Sequence, residues 1–140
     1  MKFLLDTNIA SEAMRRDPNA DVIAWTDRQR LQTLHFSVGT IAEIDFGIAR
    51  LDESLRKARL QAWRDELVRR SRPRVLPVDL TIAKAWGVVR ARATAAGRTM
   101  PVIDALLAAT AAVHDLTLVT RNVADFEIWG GPVLNPWTDA

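Results

Sequence analysis

The feature that most constrains the fold is an alternation of short apolar runs with segments of helical periodicity. Phe3-Leu4-Leu5, Leu34 to Val38, Arg74 to Val78, Leu116 to Thr120 and Val133-Leu134 are the strand candidates. The first lacks polar alternation, as expected for a central strand covered on both faces. Pro77 places the third run at a sheet edge or a strand end, because proline donates no ladder hydrogen bond. Between these runs, Thr7 to Met14 reads as a short helix capped by Asp6 or Thr7. Val22, Ile23, Trp25 and Leu31 form the stripe of a second helix. Ile41, Ile44, Ile48 and Leu51 form that of a third, in which Gly47 suggests close packing. Asp52 to Arg70 is a charged helix with Leu55, Leu60, Trp63 and Leu67 on its apolar side. Asp79 caps a helix that runs to Ala96 and is ended by Gly97, with Trp86 assigned to the core. Pro101 opens an alanine- and leucine-rich helix, Val102 to His114. Strands alternating with helices predict an α/β domain with a mostly parallel sheet.

Bulk properties narrow the function classes. A chain of 140 residues is expected to form one domain, 1–140. There is no cysteine, which excludes a disulfide framework and a thiolate metal site. No apolar run reaches the ~20 residues of a membrane span, and the N-terminal run is not a signal peptide. A cytoplasmic protein is expected. The net charge is +2, and arginine greatly outnumbers lysine. Arginine's planar fork suits phosphate. The arginines and Lys57 of the fourth helix read first as a solvated face, with an RNA- or partner-facing surface as the alternative.

Ligands of open α/β sheets bind outside the carboxyl ends of the strands. Asp6 lies just past the first strand, Glu43 in the helix after the second, and Asp125 shortly after Val119-Thr120. Asp104 lies in the first turn of a helix whose N-terminus faces the same edge. Each has a structural alternative. Asp6 suits a helix cap; Thr40-x-x-Glu43 has the pattern of a capping box; Asp104 suits a helix dipole; Asp125 suits a turn. Their convergence on one rim favours a site. Clustered carboxylates repel, by about 4 kcal/mol for a pair ~4 Å apart at an effective dielectric near 20. Such a group calls for protons or a cation, and an all-oxygen set selects a hard ion, Mg²⁺ or Mn²⁺. His35 and His114 show no ligand spacing. No Walker loop, G-x-S-x-G or G-x-G-x-x-G occurs.

Four motifs carry a resemblance. They are Leu4-Leu5-Asp6-Thr7-Asn8, Ile41-Ala42-Glu43-Ile44-x-x-Gly47-Ile48, Met100-Pro101-x-x-Asp104-Ala105-x-x-Ala108-Ala109, and Leu118-Val119-Thr120-Arg121-Asn122-x-x-Asp125-Phe126. Asn135-Pro136-Trp137 follows as a closing motif. In this order the chain resembles the PIN-domain ribonucleases, and among them the VapC-type toxins of toxin–antitoxin pairs. The resemblance spans nearly the whole chain. It implies a three-layer α/β/α domain around a sheet of four to five strands.

The resemblance also implies catalytic acids at Asp6, Glu43, Asp104 and Asp125, with Thr7, Asn8, Thr120 and Asn122 in support. It leaves Arg121 between phosphate and a neighbouring chain, while helical geometry turns Asp45 away from Glu43. The implied activity is metal-dependent cleavage of single-stranded or looped RNA, tRNA or rRNA, leaving a 5′-phosphate and a 3′-hydroxyl. Mg²⁺ or Mn²⁺ would be held by Asp6, Asp104 and Asp125. The implied partner is a VapB-like antitoxin protein. The implied assembly is a homodimer, with a dimer of dimers in complex with that partner. Trp25, Trp63 and Leu67 are candidates for core or for the docking surface. A non-catalytic RNA- or partner-binding module and a structure-specific DNA nuclease are the alternatives. An aspartyl-phosphate phosphatase is disfavoured because Asn8 stands where a second Asp belongs.

Overall fold

A computed structural model describes residues 1–139. Its five strands are β1 (Phe3–Leu5), β2 (Leu34–Ser37), β3 (Val75–Leu76), β4 (Thr117–Val119) and β5 (Val133–Leu134). Its helices are α1 (Thr7–Ala10), α2 (Ala20–Arg28), α3 (Val38–Ala49), α4 (Leu55–Ser71), α5 (Leu80–Ala95) and α6 (Val102–His114), with short 3-10 turns between several of them. The strand order is β3-β2-β1-β4-β5. Every pairing is parallel, so the sheet is wholly and not just mostly parallel. β1 is central, with Leu4 opposite His35 of β2 and Leu118 of β4. β3 is an edge strand, and it ends at Leu76, one residue before Pro77.

The three residues of β1 are all buried and divide the core between two layers. Successive strand side chains point to opposite faces. Leu4 packs with Val89 and Ala93 of α5 and Ala105, Leu107, Ala108 and Ala111 of α6. Phe3 and Leu5 pack on the other face with Ile9, Val22 and Trp25, joined by Leu67 of α4. The Phe3 and Trp25 rings meet edge to face, 5.0 Å between centroids. The alanines of α6 let that helix lie close to β1 and α5. At its end Asp115 adopts a left-handed conformation (φ 55°), and the Leu116 amide donates to the Ala111 carbonyl at 2.8 Å.

Several sequence expectations need correction. α3 begins at Val38, not near Thr40, because Ser37 caps it by accepting from the Gly39 amide at 2.9 Å. Thr40 is therefore no cap; its hydroxyl is buried without a hydrogen-bond partner. Leu31 falls outside α2, in a 3-10 turn. α4 starts at Leu55 behind a Ser54 cap, and Leu55 is exposed. Nothing lies within 4 Å of a Cβ added at Gly47, so no close packing depends on that glycine. Trp86 is half-buried, with its indole N–H donating to the Val102 carbonyl at 3.2 Å. Trp63 and Leu67 are half-buried, while Trp25 is core.

Candidate active site at the carboxyl edge of the sheet

Asp6 leaves β1 with its amide still donating to Val119 of β4 at 3.0 Å. The backbone then turns into α1, for which Asp6 is the N-cap. Its Oδ1 accepts from the Thr7 amide at 2.7 Å. Its Oδ2 accepts from the Thr120 hydroxyl at 2.8 Å. Thr120 follows β4 directly and is fixed by its own amide, which donates to Leu134 of β5 at 3.0 Å. The Thr120 oxygen also accepts from the Asn122 amide at 3.0 Å and from the Asn8 side chain at 3.4 Å. Asn8 Oδ1 accepts from the Arg121 amide at 3.4 Å. A buried carboxylate, only 6% exposed, is thus tied through hydroxyl and amide groups to the ends of three adjacent strands.

The other acids arrive on helices. Glu43 sits at the sixth position of α3, not the third, and its Oε1 accepts from the Thr7 hydroxyl at 3.3 Å. Asp104 lies in the first turn of α6. α3 and α6 approach closely at Gly39, where an added Cβ would sit 3.5 Å from Ile103 Cδ1. Asp125 lies in the first turn of the 3-10 segment Val123–Trp129, whose amide bonds back to the Asn122 carbonyl at 3.1 Å. The Asn135 side chain donates to the Arg121 carbonyl at 3.5 Å, and Asn135 Oδ1 accepts from the Trp137 amide at 2.9 Å. The Arg121 guanidinium lies over the Trp137 ring, 5.3 Å from its centroid. Asp45 pairs with Arg64 of α4, away from the acids.

The structure therefore gathers all four acids, with Thr7, Asn8, Thr120 and the Asn122 backbone, at one rim. Their charges act on one another. Burial pushes the Asp6 carboxyl up, its bonds to Thr120 and Thr7 pull it back, and Asp125 pushes it up again. Burial and then Asp6 raise Glu43, against the Thr7 hydroxyl. Asp104 is raised to about 6, first by burial and then by Asp6, Asp125 and Glu43. Among the described residues none of the four is in an ion pair. Nor do three acids or histidines there close into a ready-made metal cage. An oxygen-only set of mutually repelling carboxylates with no cationic neighbour still fits a hard divalent ion, provided water or substrate oxygens fill part of its shell.

Ser37, Gly39 and Glu12 escaped the sequence reading. Ser37 is a helix cap three residues before the expected cap at Thr40, and a serine ahead of a helical stripe was the available signal. Gly39 allows the crossing of the two acid-bearing helices. Glu12 is buried (1% exposed) in a 3-10 turn and reaches Arg15 at 3.3 Å; no sequence pattern announces it.

A wholly parallel α/β domain with unbalanced carboxylates along its carboxyl edge defines a class of fold and site that similarity then narrows. The PIN domain family model matches residues 3–127, and the chain belongs to that family. Plasmid stability protein StbB of Pseudomonas syringae is 41% identical over 139 residues, covering 96% of this chain and 98% of that protein. VapC ribonuclease Y4jK of Sinorhizobium fredii is 35% identical and covers 99% of each chain. Toxin FitB of Neisseria gonorrhoeae is likewise 35% identical, with 98% and 99% covered. A chain in the crystal structure of FitAcB from that organism superposes with a TM-score of 0.91 at 34% identity, covering 97% of this chain and 99% of its own.

Proposed function

We propose that this protein is a divalent-metal-dependent endoribonuclease that serves as the toxin of a toxin–antitoxin pair. One observation carries the reading: four carboxylates that have no ion-pair partner among the described residues meet at one rim in a PIN-domain chain, and a relative of full-length similarity bears the name VapC ribonuclease. Asp6, Asp104 and Asp125 are the residues to hold Mg²⁺ or Mn²⁺. That ion, when bound, supplies Lewis-acid stabilisation of phosphate charge and a water of lowered pKa.

The chain's own residues do the rest. Thr120 and Thr7 fix the Asp6 carboxylate before any ligand arrives. Glu43, held by Thr7 and raised by burial and by Asp6, accepts the proton of the water that attacks phosphorus. The bond from phosphorus to the 3′-oxygen breaks as that water adds. The products are a 5′-phosphate and a 3′-hydroxyl that takes its proton from solvent.

The partner in this reading is a small antitoxin that covers the rim, and the assembly is a homodimer. Likeness to toxin FitB and to a chain of the FitAcB structure supports it. The apolar cleft of about 400 Å³ lined by Ile9, Ile23, Phe36, Trp63 and Leu67 is the surface we assign to its docking. No helix among the described residues is long and apolar enough to cross a membrane. The cytoplasm, where RNA and partner meet, is the compartment we assign.

The test is expression with and without the neighbouring small gene product, followed by mapping of new 5′-phosphate RNA ends. Toxicity and new ends are expected from the chain alone, and neither with the partner or with Asp6→Ala. Unchanged RNA in cells that accumulate the free, folded protein overturns the reading.

A further inference from the structure

Acids neutralise only some of the arginines of α4. Arg64 pairs with Asp45 and Asp65, and Arg69 pairs with Glu66. Arg56 and Arg59 are in no ion pair among the described residues, and neither is Arg16 in the loop after α1. These three line one open cleft of about 940 Å³ together with Arg15. Arg15 is held at the rim by the buried Glu12, 3.3 Å away. Asp17 is the one acid in the lining. Like charges gathered around an open volume repel unless an anion occupies it. Four guanidinium forks there suit phosphate oxygens, which they bind bidentately.

The cleft lies at the opposite end of α1 from the acidic rim. Ser11 lines it and is the residue that ends α1, the helix that Asp6 begins. At 1.5 Å per residue the two are about 8 Å apart along α1. The Ser11 hydroxyl donates to the Thr7 carbonyl at 2.8 Å, and the Thr7 hydroxyl donates to Glu43. A rim of four carboxylates repels a polyanion. A neighbouring cationic cleft supplies the attraction that the rim lacks.

We infer that the cleft of Arg15, Arg16, Arg56 and Arg59 grips the phosphate backbone of single-stranded RNA on one side of the scissile bond. This rests on the nuclease reading above and adds to it the surface that holds the substrate. An acidic peptide from the partner is the less suitable occupant. Met14 and Leu60 are the only large apolar side chains in the lining, too few to anchor a peptide. Phosphate contacts carry affinity without sequence information, so the cleft sets grip and direction, not the base cut.

The experiment uses the full chain with Asp6→Asn in every arm to prevent cleavage. Binding of a fluorescein-labelled single-stranded oligoribonucleotide of mixed sequence is followed by anisotropy across a salt series. R56Q/R59Q is expected to raise Kd about tenfold and to lower the slope of log K against log salt by about 1.4, at about 0.7 for each lost phosphate contact. R72Q/R92Q, with the same change in net charge but outside the cleft, is expected to leave both near the parent value. R56K/R59K is expected to keep the slope, and thermal melts check that all variants fold. Equal losses in the two glutamine pairs would assign binding to overall charge and overturn the cleft. So would unchanged RNA binding by R56Q/R59Q together with lost binding of the co-expressed partner. Parent protein that binds no RNA, with an Asp6 chain that cuts none, would instead bring down the nuclease reading itself.

Discussion

Asp6 and Asp125 stand on the same rim, yet the fold holds them in different ways. Asp6 ends the central strand, is buried, and has both oxygens engaged, one by the Thr7 amide and one by the Thr120 hydroxyl. Asp125 rides on an exposed 3-10 segment, and among the described residues no hydrogen bond holds its side chain. Asp104 resembles Asp125 in lacking such a bond, but it lies half-buried amid the other acids and is raised to about 6. The rim therefore has a preset corner and a side that only charge neutralisation can draw in. An ion entering a site built this way would relieve repulsion on one side and meet a rigid ligand on the other.

Substitutions can break this contrast. The largest effect is expected at the preset corner. Asp6→Asn removes several kcal/mol of transition-state stabilisation, a rate loss on the order of 10³-fold. Asp125→Asn should cost less, on the order of 10²-fold. Initial rates on a labelled RNA with Mg²⁺ or Mn²⁺ decide it, and a larger loss at Asp125 would reverse the roles of the two corners. Thr120→Val keeps the shape of the side chain and removes the hydroxyl that orients Asp6. We expect a loss of about 10- to 100-fold in metal affinity or rate, read by metal titration alongside activity. A Thr120→Val protein as active as its parent would mean that Asp6 needs no orienting.

A smaller effect concerns the unheld side. Asp104 has an ordinary pKa of 3.8 and is raised to about 6 in the fold. Between those values the folded chain keeps a proton that the unfolded chain has lost. Its contribution to stability is full below 3.8 and fades as pH rises toward about 6. Melting of metal-free protein should therefore show Asp104→Asn gaining on the parent as pH rises through that window. Divalent ion should narrow the gap. A gap independent of pH would show that Asp104 does not feel its neighbours. The smallest effect is expected from Ser37→Ala, which uncaps α3 beneath Glu43 and should cost about 1 kcal/mol in denaturant unfolding.

The strands and the four acids were legible because each obeys a local rule. An unbroken apolar run marks a central strand, and the carboxyl ends of parallel strands collect ligands. Where several residues compete for one role, local rules faltered. Ser37, Thr40 and Glu43 each have a helix-start chemistry, and the buried end of β2 decided for Ser37, leaving Thr40 inside and Glu43 free to face the rim. Leu55 was counted in the stripe of α4 because sequence does not say where a helix begins to touch the sheet. Glu12 was silent because its burial comes from packing between α1 and α2 rather than from any periodicity. The arginines of α4 were read as one face, but only the positions of Asp45, Asp65 and Glu66 separate the paired from the unpaired.

The bond from Thr120 to Asp6 joins residues 114 positions apart. β1 is made before β2 and β4, yet it sits between them, and β2, β3 and the helices α1 to α6 all separate it from β4 in the chain. Parallel pairing over such a separation is slow to form, because loop-closure entropy must be met before the contacts return it. Until β4 docks, Asp6 lacks both its Val119 and its Thr120 partner. The order of strands thus acts as a timer: a nascent chain that has not reached β4 carries Asp6, Glu43 and even Asp104 without the corner that makes them a site, and the cell making it has until β4 emerges to supply whatever will cover it.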